Sequence, residues 1–247
     1  TDLNELYVTN KANFTALGNE NVKITDTVSA ADANTIANAT TGKVTATVAA
    51  ATAAALNTVL AKATATDVLT LTVNGATAEA EDLIALDGKT SVDVTVDAVA
   101  VTGDFADLNK VYVTNKANFA NLGAENVTID DTTVTAAQAN TIANATTGVV
   151  TADVAAATAA SLNAALKNAV ATDALTLTVN GATATAADLI ALDGKTNQLI
   201  TVDAKAVTGS FADLNKVYVT NKANFAALGA ENVTITDKTV AVGDANT

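Results

Sequence analysis

The chain has 247 residues, 49% of them apolar but only 3% aromatic, and a net charge of −13 in which every basic residue is lysine. With no arginine, no basic run and few aromatics to stack on bases, it lacks the electrostatics and the readout chemistry for nucleic acid, and for an anionic membrane surface as well. The complete absence of Cys and His removes disulfides, thiolate metal centres, the usual general base and the commonest transition-metal ligand, and no apolar run approaches the ~18 residues of a membrane span.

The octapeptide YVTNKANF at Tyr7–Phe14 recurs letter for letter at Tyr112 and Tyr218. The copies stand 105 and 106 residues apart, so the chain is a tandem array. It reads as one continuous domain over 1–247, with copies at 1–105, 106–211 and a partial 212–247 and no linker between them. ANTIANATTG at 33–42 returns at 139–148, and IALDGKT at 84–90 returns at 190–196.

Within the first copy, LYVTN, VKITD, KVTATV, VLTLTV and VDVTV alternate apolar and polar residues at period two, which predicts five strands. Their registers predict Val8, Ile24, Ala46, Leu71, Val94, Val113, Ile129, Ala152, Leu177, Ile200, Val219 and Ile235 inward. The residue after each then points out: Thr9, Thr25, Thr47, Thr72, Thr95, Thr114, Asp130, Asp153, Thr178, Thr201, Thr220 and Thr236. A single threonine ladder with rungs about 4.8 Å apart follows. Tyr7, Tyr112 and Tyr218 face outward in this register, and Phe14, Phe119 and Phe225 pack beneath a helix turn.

Between strands the spacing turns helical. Leu56, Val59, Leu60 and Ala63 fall at i, i+3, i+4 and i+7, as do Leu162, Ala165, Leu166 and Ala169. Ser29 with Asp32 and Thr135 with Gln138 have capping-box spacing, Asn13, Asn118 and Asn224 are expected as N-caps, and Gly42, Gly88, Gly148 and Gly194 as helix stops. Short strand–turn–helix coils repeated in one order predict an α/β class fold: a right-handed solenoid of about five coils per 105–106-residue repeat, with a parallel sheet on one face. A TIM barrel is the alternative, and coils as short as 16 residues fit it poorly.

Three groups of side chains are candidates for chemistry. The threonine ladder is a regular surface that could order ice, hold a glycan or meet another chain. Asp26, Asp97, Asp104, Asp130, Asp131, Asp203 and Asp237 lie at strand ends, where carboxylates either bind calcium or cap turns. Glu79, Glu81 and Asp82 resemble an acid–base pair but open a helix, where negative charge favours the dipole, and the next copy reads ATAADLIAL there. No catalytic, cofactor-binding or metal residue is assigned, and no enzyme activity is expected.

The Ala/Thr-rich units VSAADANTIANATTGKVTATV and VTAAQANTIANATTGVVTADV resemble repeats of very large cell-surface proteins of marine cyanobacteria. Coil length is similar to that of leucine-rich repeats, without the LxxLxLxxN signature. The resemblance implies an extracellular spacer or adhesion scaffold whose partners are neighbouring repeats of a longer chain. The start without Met and the stop at GDANT add the expectation of a fragment with uncapped ends, able to self-associate end to end.

Overall fold

A computed structural model of the chain describes residues 2–241 and 243; the closing DANT of the GDANT segment lies outside them. The fold is α/β with parallel sheets, and the chain forms two compact units, Thr1–Asn126 and Val127–Thr247.

In the first unit a single helical turn, α1 (Asp2–Asn4), runs into a π-helix over Glu5–Thr9 and a 3-10 turn over Lys11–Asn13. There follow β1 (Val22–Val28), α2 (Ala30–Ala39), β2 (Val44–Val48), α3 (Ala53–Val59), β3 (Val68–Thr70), β4 (Thr72–Val73), β5 (Thr77–Glu79), α4 (Ala80–Asp87), β6 (Val94–Val96), β7 (Ala100–Gly103), α5 (Phe105–Asn109) and, after a second π-helix over Lys110–Thr114, β8 (Phe119–Ala120). Strand β9 (Asn126–Ile129) opens the second unit. It continues with α6 (Ala136–Ala143), β10 (Val150–Asp153), α7 (Ala159–Ala165), β11 (Ala174–Thr176), β12 (Thr178–Val179), β13 (Ala184–Thr185), α8 (Ala186–Asp193), β14 (Ile200–Val202), β15 (Ala206–Gly209), α9 (Phe211–Asn215), β16 (Phe225–Ala226) and β17 (Asn232–Ile235).

The paired strands are parallel, with facing residues 20 to 26 positions apart in the chain. Val22 faces Val44, Thr45 faces Val68, Thr72 faces Thr95 and Val94 faces Phe119, all in parallel. In the second unit Val127 faces Val150, Thr151 faces Ala174, Thr178 faces Thr201 and Asn232 faces Ala206. Strand alternation then fills the interior: in β2, Val44, Ala46 and Val48 are buried while Thr45 and Thr47 look outward. On the helices Leu56, Leu83, Leu86 and Leu108 are fully buried, with equivalents Leu162, Leu189 and Leu192, as are Leu60 and Leu166 at the C-caps of α3 and α7. Burying a leucine of this kind stabilises by about 1.5–3 kcal/mol.

With almost no aromatics the layers are thin, and backbones approach closely where glycine allows it. A Cβ at Gly42 would lie 2.2 Å from the Glu20 carbonyl oxygen, and one at Gly209 would lie 2.8 Å from Ala186 Cβ. Gly42 and Gly148 therefore close corners rather than helices, since α2 ends at Ala39 and α6 at Ala143. Gly88 and Gly194 do terminate α4 and α8. The caps form as the spacing predicts: Ser29 Oγ accepts from the Asp32 amide, and Thr135 and Gln138 complete a capping box.

One predicted strand is absent. YVTNKANF is not extended: its first three residues end a π-helix, and the KAN that follows is a 3-10 turn. The alternation of LYVTN hides a helical stripe better seen in the second copy, where Leu108, Val111 and Tyr112 stand at i, i+3 and i+4 and are all buried. Tyr7 and Tyr112 thus point inward, while Val8, Val113 and Val219, expected inside, are about half exposed. Asn13, Asn118 and Asn224 end the 3-10 turns and cap no helix; Phe119 and Phe225 then start short strands, buried against Val94 and Ile200. Phe14 is 50% exposed and Val59 37% exposed, against expectation.

Strand β1 contains a bulge. Lys23 faces Thr45, yet Thr27 faces Thr47, so four steps on β1 match two on β2. The corresponding stretch of the second copy is one residue longer, running from Val127 to Val134 where the first runs from Val22 to Val28, and Val134 again bridges Val154 as Val28 faces Val48.

Candidate functional site

Polar side chains inside this apolar stack are few, and the buried ones recur in equivalent positions. Asp67 and Asp173 are 4% and 2% exposed. One carboxylate oxygen of Asp67 accepts the amide of Val44 at 2.7 Å, 23 residues earlier in the chain, and the other accepts the amide of Thr64 at 2.8 Å. Asp173 does the same with Val150 and Val170, both at 2.9 Å. Buried carboxylates persist only when such donors replace water.

A buried threonine stands at four corners. Thr90 Oγ1 donates to the carbonyl of Leu69 at 2.8 Å and accepts the Leu69 amide at 3.0 Å, so one hydroxyl stands in for a residue of an adjacent strand. Thr196 repeats this with Leu175, at 2.7 and 3.1 Å. Thr40 donates to the Glu20 carbonyl, and both Thr40 and Thr146 accept the amide two residues on.

The third device explains why the octapeptide is kept. Tyr112 Oη donates to Glu125 at 3.2 Å, and the same carboxylate oxygen accepts the Gly123 amide at 2.8 Å. Tyr7 with Glu20 and Tyr218 with Glu231 repeat the pair, thirteen residues apart each time. Burial, followed by the neighbouring carboxylate, pushes all three phenols above the ordinary tyrosine value. The Glu20 carboxyl is held low chiefly by the amide of Gly18. At Glu231 burial opposes ionisation, but bonds from Tyr218 and the local amides outweigh it and the carboxyl sits below its usual range.

The threonine ladder is broken into short ranks. Thr27, Thr47 and Thr70 align, as do Thr72 with Thr95, Thr128 with Thr151, Thr178 with Thr201, and Thr185, Thr208 and Thr234. Thr47 pairs with Thr70, not Thr72, and Ala120 and Ala226 end two ranks where the ladder was expected to continue. Thr9, Thr114 and Thr220 lie in π-helices. No rank among the described pairs exceeds three threonines, too short for an extended templating plane.

Four of the nominated carboxylates accept hydrogen bonds from protein donors. Asp104 caps α5, Asp97 accepts from Asn121 at 2.9 Å, Asp237 accepts the Phe211 amide, and Asp82 accepts from Asn57 at 3.0 Å. Asp130 and Asp131 border one shallow groove with Asp153, whereas Asp26 and Asp203 lie elsewhere. Glu79 stands at the N-cap of α4 without a side-chain capping bond, and Glu81 lies in its first turn. Among the described residues no group of three carboxylates is placed to hold a metal ion, and no helix is long and apolar enough to cross a membrane. Sequence reasoning missed Asp67, Asp173, the corner threonines and the Tyr–Glu pairs. Comparison with protein-family models, curated proteins and solved structures finds no match to this chain.

Proposed function

We propose that the chain is a structural repeat region, a right-handed α/β solenoid serving as spacer or adhesion scaffold in a large extracellular or cell-surface protein. One observation carries this: buried polar side chains recur from copy to copy and bind the backbone of neighbouring segments. Asp67 and Thr90 have counterparts in Asp173 and Thr196 making the same backbone bonds, and Tyr112 and Tyr218 each donate to a glutamate thirteen residues on. A reaction centre has no need of such repetition, whereas a stack of coils needs it at every level. Aligned residues stand 20 to 26 positions apart, which supports coils of that length, four to five per repeat.

The test is to excise one repeat, Asn34–Ala139, joining Ala33 to Asn140 so that α2 and α6 fuse within their shared ANTIANATTG. The shortened chain is expected to fold and, by small-angle scattering, to have a maximum dimension about 20 Å smaller with the same cross-section, at about 4.8 Å per coil. An unfolded product, or one of unchanged length, would overturn the proposal.

A further inference from the structure

The outer edge of β1 has no strand partner among the described residues: β1 pairs only with β2. The chain itself shows what fits there, because β17 is the same strand in the third copy. Along β17, Asn232, Val233, Thr234 and Ile235 face Ala206, Val207, Thr208 and Gly209 of β15, with Asn232 donating to the Lys205 carbonyl at 3.0 Å and Thr236 to the Gly209 carbonyl at 2.8 Å. Gly209 faces Ile235 in the register, and a Cβ built on it would come 2.8 Å from Ala186 Cβ and 3.6 Å from Leu214 Cγ.

By the YVTNKANF alignment, Leu214 and Ile235 correspond to Leu3 and Ile24. Those two residues line an open trough of about 450 Å³, bordered also by Asn4, Thr25 and Val28. Of its lining, Leu3 is partly exposed where its counterparts Leu108 and Leu214 are buried. Outside the lining but in the same opening segment, Leu6 is partly exposed where Val111 and Val217 are buried, and Phe14 is 50% exposed where Phe119 and Phe225 are 6% and 7%.

We infer that this trough and the β1 edge form a strand-acceptor site whose occupant is an Ala-Val-Thr-Gly strand from another copy of this repeat. Main-chain hydrogen bonds to the β1 edge would supply affinity. Selectivity would come from the valine, whose counterpart Val207 is fully buried.

The probe is a synthetic peptide of residues 194–211 added to the full chain, read by hydrogen exchange at the amides of residues 21–26. Saturating peptide is expected to slow exchange there about tenfold or more, and a peptide carrying Val207→Pro to have no effect. A second arm joins the same eighteen residues directly ahead of Thr1, where they would bring the same protection and raise the melting temperature relative to a scrambled extension. Unchanged exchange at 21–26 in both arms would overturn the assignment. So would protection arising without peptide, at raised protein concentration, at 21–26 and 232–235 together, because the occupant would then be a second whole chain meeting through β17. Neither arm depends on the spacer function, whose own test removes residues 34–139 and leaves β1 in place.

Discussion

The substitution of threonine by valine should have very different consequences at a buried corner and at an exposed strand position. In Thr196→Val the side chain keeps its shape but loses the hydroxyl that donates to the Leu175 carbonyl at 2.7 Å and accepts the Leu175 amide at 3.1 Å and the Gln198 amide at 3.0 Å. Leu175 is fully buried, so its two groups find no water in exchange. At about 1–3 kcal/mol for each orphaned buried group, and allowing partial relaxation, the loss should come to about 2–4 kcal/mol. For a chain of this size that is a fall in melting temperature of roughly 6–12 °C. Thr176, next to Leu175 on β11, is exposed, and Thr176→Val should change stability by no more than about 0.5 kcal/mol. Far-UV circular dichroism melts of both variants, with Thr90→Val and Thr70→Val as the matching pair in the first unit, decide the matter. Equal effects at the two sites, or a Thr196→Val melt within a degree of the parent, would refute the corner-threonine reasoning.

Leu71→Ala and Leu177→Ala, both at fully buried positions, should each cost about 2–5 kcal/mol in urea titrations, while Thr72→Val costs far less. The three tyrosines are the only ones in the chain, so absorbance at 295 nm reports them alone. Because their phenol values are raised on folding, their stabilisation is intact below pH ~10 and is lost as pH rises through the folded values. Ionisation should therefore coincide with loss of ellipticity well above pH 10, and a simple titration centred at 10 in folded protein would contradict the buried pairs. Glu20 and Glu231 act in the opposite sense: with folded values lowered, their contribution is present above pH ~4.3 and fades as pH falls through those values. Melting with calcium and with chelator should agree within a degree or two, since Asp97, Asp104 and Asp237 are already bonded to protein donors and no three carboxylates converge among the described residues; a rise of several degrees with calcium would overturn that.

What the sequence made legible was whatever acts over a few residues. The inward places of Ala46, Leu71, Val94 and Leu177, and the caps at Ser29 and Thr135, follow from local period and spacing, and the structure has them all. LYVTN misled because five residues carry either period, and only the longer FADLNKVYV of the second copy separates them. Asp67 could not be assigned because its decisive partner, Val44, is 23 residues away. The useful signal was an aspartate with no glycine beside it just ahead of an apolar strand, kept in both copies as Asp-Val-Leu and Asp-Ala-Leu. The ladder failed by a register error of two, Thr47 meeting Thr70 instead of Thr72, which no alternation pattern can detect.

The bulge in β1 and its longer counterpart after Val127 make that stretch an expansion joint. Residues added there leave the strand on its outer side, and phase is recovered at Val28 or Val134 before the next helix begins. Copies can drift in length at this one point without disturbing the strand pairing that follows, which is how spacings of 105 and 106 coexist in one chain. It is also where a foreign loop could be carried on every copy at a fixed interval.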